Sequence, residues 1–176
     1  MEIIIVDEND RPIGTKDRDD RSKADIIRVS GLWLFNSKNE VLIAQRSLNK
    51  TRDPGKWGPS AAGTVEEGET YLSNIIKEAK EELGIDILES SLLPLYHGLR
   101  TTSHRYFVQM FTAKLDAPVS AFALQKDEVE QVRWISAPEL FAWLAQKPDD
   151  FIASFNSNID RLVEFLRSAS GTGKMV

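Results

Sequence analysis

The chain has 176 residues, 41% apolar and 28% charged, which suffices for one domain with a real core and is too little for two comfortable ones. Its net charge of −5 argues against non-specific binding to nucleic acid or to an anionic membrane, while leaving room for a phosphate-bearing small molecule in a local basic pocket. The absence of cysteine excludes disulfides, thiolate metal sites and cysteine nucleophiles. The opening MEIIIVDEND has neither the basic region of a signal peptide nor the length of a membrane span, so a cytoplasmic protein is expected.

Residues 2–6 (EIIIV) are β-branched and short, and predict a strand. Asp7 to Asp10 supplies turn chemistry and Arg11 to Lys16 returns, giving a hairpin over about 1–18. The strand could pair within the domain or across a homodimer. Lys16 to Lys23 (KDRDDRSK) reads as an exposed charged loop. Ile26 to Asn36 and Val41 to Gln45 flank a tight turn and predict two buried strands. Ser47 to Ser60, with two prolines and two glycines, predicts loop, and Ala61 to Val65 a short strand. Further strands are expected over Ser91 to Leu99, Tyr106 to Leu115 and Val129 to Ile135. Ser136-Ala137-Pro138-Glu139 opens a helix as a capping box. A last helix is expected over Phe151 to Arg167, followed by a loose tail, 168–176. Strands and helices mix without strict alternation, which predicts a mixed sheet in an α/β or α+β domain.

The segment KEAKEEL lies in a helix expected over residues 70–83. At 100° per residue, Leu72, Ile75, Ile76, Ala79 and Leu83 fall within an arc of about 100°, and Glu78, Glu81 and Glu82 within another. Thr70 suits the N-cap and Gly84 the left-handed residue that ends a helix. Like charges at these spacings repel, and two of them lie where the helix dipole disfavours anions. One reading is a solvated face partnered by Lys77 and Lys80. The other is a hard divalent cation, Mg²⁺ or Mn²⁺, bound by carboxylates without histidine or cysteine.

From Gly63 to Ile85 the chain reads G-x5-E-x7-K-E-A-x-E-E-x-G-I. This resembles the Nudix box, in which an arginine stands at the position of Lys77 and a bulky aliphatic at that of Ala79. The resemblance implies the Nudix fold, a mixed β-sheet between α-helices, and a MutT-like pyrophosphohydrolase acting on a small-molecule diphosphate. It implies metal ligation by Glu78, Glu81, Glu82 and the Gly63 carbonyl, with Glu69 and Lys77 bracing the loop and Gly84 closing the helix. The general base varies in the family; Glu78 is the first candidate here and Glu128 a weak second. Lysine keeps the charge of the usual arginine but not its bidentate fork, which predicts a looser loop at Glu69.

The stretch LWLFNSKNEVLIAQRSLNKTRDPGKWGPSAAG is also similar to type I isopentenyl-diphosphate isomerase, which shares the fold. That likeness implies a diphosphate clamp from Arg46 and Lys50. The isomerase chemistry does not carry over. Ala62 stands where the isomerase has its cysteine, Tyr106 where it has a glutamate, and His104, Ile27 and Thr64 where it has metal ligands. An isomerase-like enzyme and a catalytically weak ligand-binding module are the alternatives. Trp33 and Phe35 read as core or as a base-stacking surface, Trp57 as packing or site, and His97 and His104 as structural or surface residues.

Overall fold

The computed structural model describes residues 1–171. Its strands are β1 (Glu2–Val6), β2 (Pro12–Asp17), β3 (Ile26–Phe35), β4 (Glu40–Arg46), β5 (Trp57–Gly58), β6 (Ala61–Thr64), β7 (Leu93–Thr101), β8 (Arg105–Lys114) and β9 (Val129–Ser136). Its helices are α1 (Tyr71–Leu83), α2 (Ala137–Gln146) and α3 (Asn156–Gly171).

The sheet is mixed, as the irregular strand–helix order predicted. Strand β3 is its centre. It runs parallel to β8 from Ile26 opposite Arg105 to Phe35 opposite Lys114, and antiparallel to β1 and β6 along its other edge. The N-terminal strand therefore pairs inside the chain, between β2 and β3. Strand β4 leaves β3 after a single pair, Phe35 with Val41, and continues with β9 and β5. Buried Ser60 fills the divergence: its hydroxyl accepts from the Leu34 N–H at 2.9 Å and donates to the Leu42 carbonyl at 2.7 Å. Two backbone groups that lose their ladder partners are thus satisfied by one side chain.

The period of two along β3 builds the two faces. Leu32 and Leu34 pack with Ile75, Ala79 and Leu83 of α1. Trp33, between them, packs on the opposite face with Phe155, Ile159, Leu162 and Val163. Helices therefore cover both sides of the sheet. Trp33 is core, edge-on to Phe155 at 5.5 Å, and Phe35 meets Phe165 in the same way. Trp57 is buried against Trp143.

Helix α1 is fixed at both ends. Thr70 and Ser73 form the N-terminal capping box. Gly84 ends the helix at φ 71°, its N–H donating to the Lys80 carbonyl at 3.0 Å while Ile85 N–H reaches Ala79 at 3.4 Å. The loop of residues 123–128 then docks on this terminus: Ala123 N–H donates to Leu83 at 3.0 Å and Gln125 N–H to Glu82 at 3.1 Å. Orphan carbonyls of the last turn are satisfied, and Glu128 is carried beside α1.

Three sequence expectations need correction. Helix α3 begins at Asn156, not Phe151, because Phe151 bridges Trp57 and the Ile152 N–H donates to the Trp57 carbonyl at 3.0 Å. It then runs to Gly171, so 168–171 of the expected loose tail are helical; 172–176 lie outside the described residues. The helix continues past Leu166, which is buried. Trp57–Gly58, expected as loop, form a short strand on β4. Among the described residues no helix is long and apolar enough to cross a membrane.

Gly84 combines a left-handed φ with a steric limit, since an added Cβ would collide with the Cβ and backbone oxygen of Ala123. Gly68 has φ 82° with open space around it. Gly68→Ala is expected to cost about 1 kcal/mol, from backbone strain alone, and Gly84→Ala about 2–3 kcal/mol, as strain plus displacement of the docked loop. Urea unfolding of the two variants measures this; equal losses would mean that the loop does not press on Gly84.

Candidate active site

The site grows from one turn of α1. Buried Asn74 is its hub. Its amide donates to the Glu69 carboxylate at 2.9 Å, to the Thr64 carbonyl at 3.2 Å and weakly to Glu78 at 3.5 Å, while its oxygen accepts from the buried Ser30 hydroxyl. One side chain thereby ties β3, β6, the loop before α1 and the first box carboxylate together. Sequence reading missed Asn74. Its signal was a polar residue next to the apolar stripe of Ile75 and Ala79, where a partnered buried amide is the physical expectation.

Glu69 also accepts from the Glu66 N–H at 3.0 Å and from Lys77 Nζ at 2.7 Å. Burial works against its charge, but these donors together hold its carboxyl below the ordinary range. Lys77 makes a second ion pair, with Glu66 at 2.6 Å. Burial opposes its charge too, and the two glutamates outweigh burial and raise its pKa. The lysine thus reaches two carboxylates as a point charge, where an arginine would have offered a fork to one. Glu66 in this role was not read from the sequence.

Glu78 and Glu82 lie one turn further on, both partly buried, and Glu82 accepts from the Ala62 N–H at 3.2 Å. Desolvation raises the Glu78 pKa to about 7; Lys77 and the Asn74 amide counter it, and the charges of Glu81 and Glu128 add to it. Desolvation likewise raises Glu82 to about 8, with Glu78 and Glu128 adding, and the Ala62 N–H and Arg46 opposing. Gly63 packs on Glu78 so closely that a Cβ there would fall on its carboxylate. Glu81 is exposed at the rim. Among the described residues no three metal-ligating side chains form a preassembled cage. The donor set still suits a hard cation: oxygen ligands only, two of them sharing a site that penalises uncompensated negative charge.

The α1 carboxylates open into a cleft of about 1070 Å³. It holds Gly63, Glu78, Glu81 and Glu82 together with Arg46, Lys50 and Glu128. Arg46 donates from Nε to the Arg52 carbonyl at 3.0 Å, and Lys50 pairs with Glu128 at 2.5 Å. Glu128, weakly marked by the sequence, is therefore a cleft residue and not a plain surface charge. Glu69 and Lys77 do not line the cleft and brace it from behind. Ile27, Ala62, Thr64, His104 and Tyr106, matched in sequence to the isomerase's chemical groups, all line it. His97 is elsewhere. It meets Asp10 at 3.0 Å, and Asp10 also binds Arg28 and Tyr71, locking the first hairpin to the start of α1.

A family profile described as NUDIX domain matches residues 26–155. An uncharacterized Nudix hydrolase of Pseudomonas aeruginosa is 36% identical over 142 residues, covering 78% of this chain and 79% of that protein. The isopentenyl-diphosphate Delta-isomerase of Burkholderia multivorans is 28% identical over 164 residues, covering 90% of this chain and 91% of its own. The crystal structure of DR0079 from Deinococcus radiodurans superposes with a TM-score of 0.79 at 24% identity, over 92% of this chain and 98% of that one, a likeness of fold. With its box carboxylates converging on one cleft, and with both the profile and the Pseudomonas relative spanning most of its length, the chain belongs to the Nudix family, as a hydrolase acting on diphosphate compounds.

Proposed function

We propose that the protein is a divalent-metal-dependent hydrolase that cleaves the diphosphate of a small molecule, with Glu78 and Glu82 as the metal-holding pair. The observation that carries this reading is two partly buried carboxylates on one turn of α1, Glu78 against Gly63 and Glu82 against the Ala62 N–H, inside the cleft that also holds Arg46 and Lys50. Glu81, at the rim, and the Gly63 carbonyl complete the candidate ligands. A bound Mg²⁺ or Mn²⁺ would neutralise diphosphate oxygens and make a water easier to deprotonate. Arg46 and Lys50 supply the remaining positive charge for the phosphates.

The general base is better assigned to Glu128 than to Glu78, which ranked first on sequence. In the resting cleft Glu128 is tied to Lys50. A substrate phosphate that recruits Lys50 releases the Glu128 carboxylate to accept a proton, so substrate binding and base activation share one ion pair. The absence of cysteine, with Ala62 and Tyr106 at the isomerase's chemical positions, speaks against alkene isomerisation.

Turnover of a panel of diphosphates with Mg²⁺, scored by release of phosphorylated product, tests the hydrolase reading. Glu82→Gln is expected to lower kcat about 10³-fold with the fold intact. Wild-type-like turnover in this variant would remove Glu82 from the machinery. For Glu128→Gln the expected loss in kcat is about 10²-fold or more while Mg²⁺ affinity holds. A loss of less than about threefold would return the base to Glu78.

The pH dependence of stability follows from the raised carboxyls. Their folded pKa values, about 7 and about 8, lie above the ordinary 4.5. The folded state therefore holds protons that the unfolded state has lost, and metal-free stability falls as pH rises from about 4.5 through 8. Divalent metal needs the deprotonated pair and binds only the folded chain, so the gain in Tm from millimolar Mg²⁺ is expected to be larger at pH 8.5 than at pH 6. Equal gains at both values would show that Mg²⁺ does not use this pair.

A further inference from the structure

The cleft has a second charged region that the hydrolase reading does not use. Besides Arg46 and Lys50 it is lined by Arg18, Arg21 and Arg52, with Ser103 and His104 from the turn between β7 and β8. These come from three separate segments: the chain after β2, the loop after β4 and the β7–β8 turn. Arg18 and Arg21 belong to the run 16–23, which on sequence reads as an exposed charged loop; instead it delivers two guanidinium groups to the cleft.

The cluster is not neutralised from within. Among the described residues, Arg18, Arg21 and Arg52 take part in no ion pair. Asp25 lies near Arg21, but both its oxygens are taken by Lys16 at 2.8 Å and one also accepts from the Ser22 N–H at 2.6 Å. Asp53 pairs loosely with Lys56 at 3.7 Å. Arg52 is held in place instead by neutral partners: its side chain donates to the Ser103 hydroxyl at 2.9 Å and its carbonyl accepts from Arg46. Burial, then the charges of Arg52 and Arg18, lowers the pKa of Arg21. Burial, then Arg52, Arg21 and Lys23, lowers that of His104. His104 Nδ1 is buried with no hydrogen-bond partner among the described residues. Like charges gathered with no ion pair of their own among the described residues, beside an unpartnered ring nitrogen, form an anion site in waiting.

The same cleft also has apolar lining, with Ile27, Val29, Trp33, Val108 and Met110. The volume is at the upper end for small-molecule sites, enough for a dinucleotide-sized ligand. We propose that Arg21, Arg52 and His104 form a second phosphate subsite, and that the preferred substrates are diphosphates whose far end carries a phosphate monoester of its own. This rests on the hydrolase reading for the position of the scissile diphosphate, while the subsite itself does not.

NADPH and NADH serve as matched probes, because both are diphosphates and differ by one ribose phosphate. The chain has two histidines, His97 and His104, so imidazole NMR resolves the subsite directly. Inorganic phosphate and the two dinucleotides are titrated without metal, so that nothing is turned over. Phosphate is expected to shift the His104 ring saturably and leave His97 still, and NADPH to bind about tenfold tighter than NADH. The double variant Arg21→Gln/Arg52→Gln should lose both the His104 response and the NADPH preference. Retention of Mg²⁺-dependent turnover of NADH by that variant would show that its fold is intact, and its thermal unfolding gives the same check without turnover. A silent His104, equal dinucleotide affinities, or a preference that survives in a folded double variant would each overturn the proposal. Failure of the hydrolase reading would appear elsewhere, as absence of Mg²⁺-dependent turnover of every diphosphate, and would leave this metal-free titration readable.

Discussion

Two carboxylates on one helix turn, partly withdrawn from water among other acidic groups, are the constraint around which this molecule is arranged. Glu78 and Glu82 are unfavourable where they stand: burial disfavours their charge, Glu81 and Glu128 add to the cost at Glu78, and Glu78 and Glu128 add to it at Glu82. A helix that had only to be stable would place neither there. The structure meets the cost by making everything around the pair rigid. Asn74 fixes the turn before them, Gly63 approaches without a side chain, and the Ala62 N–H takes one oxygen of Glu82. Unfavourable charge held in place by a hydrogen-bonded surround is an arrangement that a bound cation would relieve, which is why the proposed function assigns the pair to a metal.

The surround is coupled from end to end. At its N-terminus α1 is held by the Thr70–Ser73 cap and by Tyr71, which shares Asp10 with Arg28 and His97. At its C-terminus Gly84 lets the chain turn back and allows Ala123 to sit against the helix end. That contact matters beyond stability. The same loop, through Gln125 and its bond to Glu82, leads to Glu128, whose N–H returns to Gln125 at 2.9 Å and whose carbonyl accepts from Ser47 at 2.9 Å. The backbone of the base candidate is therefore referenced to the metal-holding helix on one side and to the loop of Lys50 on the other. Departure from the usual arginine at Lys77 is absorbed in this frame, because Glu66 gives the lysine a second partner and keeps the loop at Glu69 braced.

How much of this was legible in the sequence depends on the range of the interaction. The two faces of α1, its caps and its left-handed glycine follow from spacing of 3.6 residues and from local turn chemistry, and they stand where spacing puts them. The alternation of Leu32, Trp33 and Leu34 between opposite faces is equally local. What could not be read was which polar residues meet across the fold. Asn74 is an unremarkable amide until Ser30, Thr64 and Glu69 surround it. Glu66 is one acid among several until Lys77 turns toward it. Arg18 and Arg21 sit in a run whose composition is that of a solvated loop, and only the path of the chain after β2 brings them to the cleft. The start of α3 was misjudged for the same reason: Phe151 and Ile152 fit a helical pattern, and a non-local pairing with Trp57 claims them first.

The likeness to the isomerases is best understood at the level of the cleft. Strands β3, β6 and β8, with the β7–β8 turn, bring all five matched positions to its wall. Ile27 and Thr64 cannot replace imidazole ligands, Ala62 offers no thiol and Tyr106 no carboxylate. The groups that the likeness assigns to the isomerase chemistry are therefore missing from this cleft. What this chain gathers in the same cleft is charge of both signs: carboxylates on α1, and guanidinium groups from the chain after β2 and the loop after β4. Under the proposed function the first suits a cation and the second an anion, so the groups that recognise a further phosphate are separate from those that hold the metal, and selectivity among diphosphates would change without change at the carboxylates.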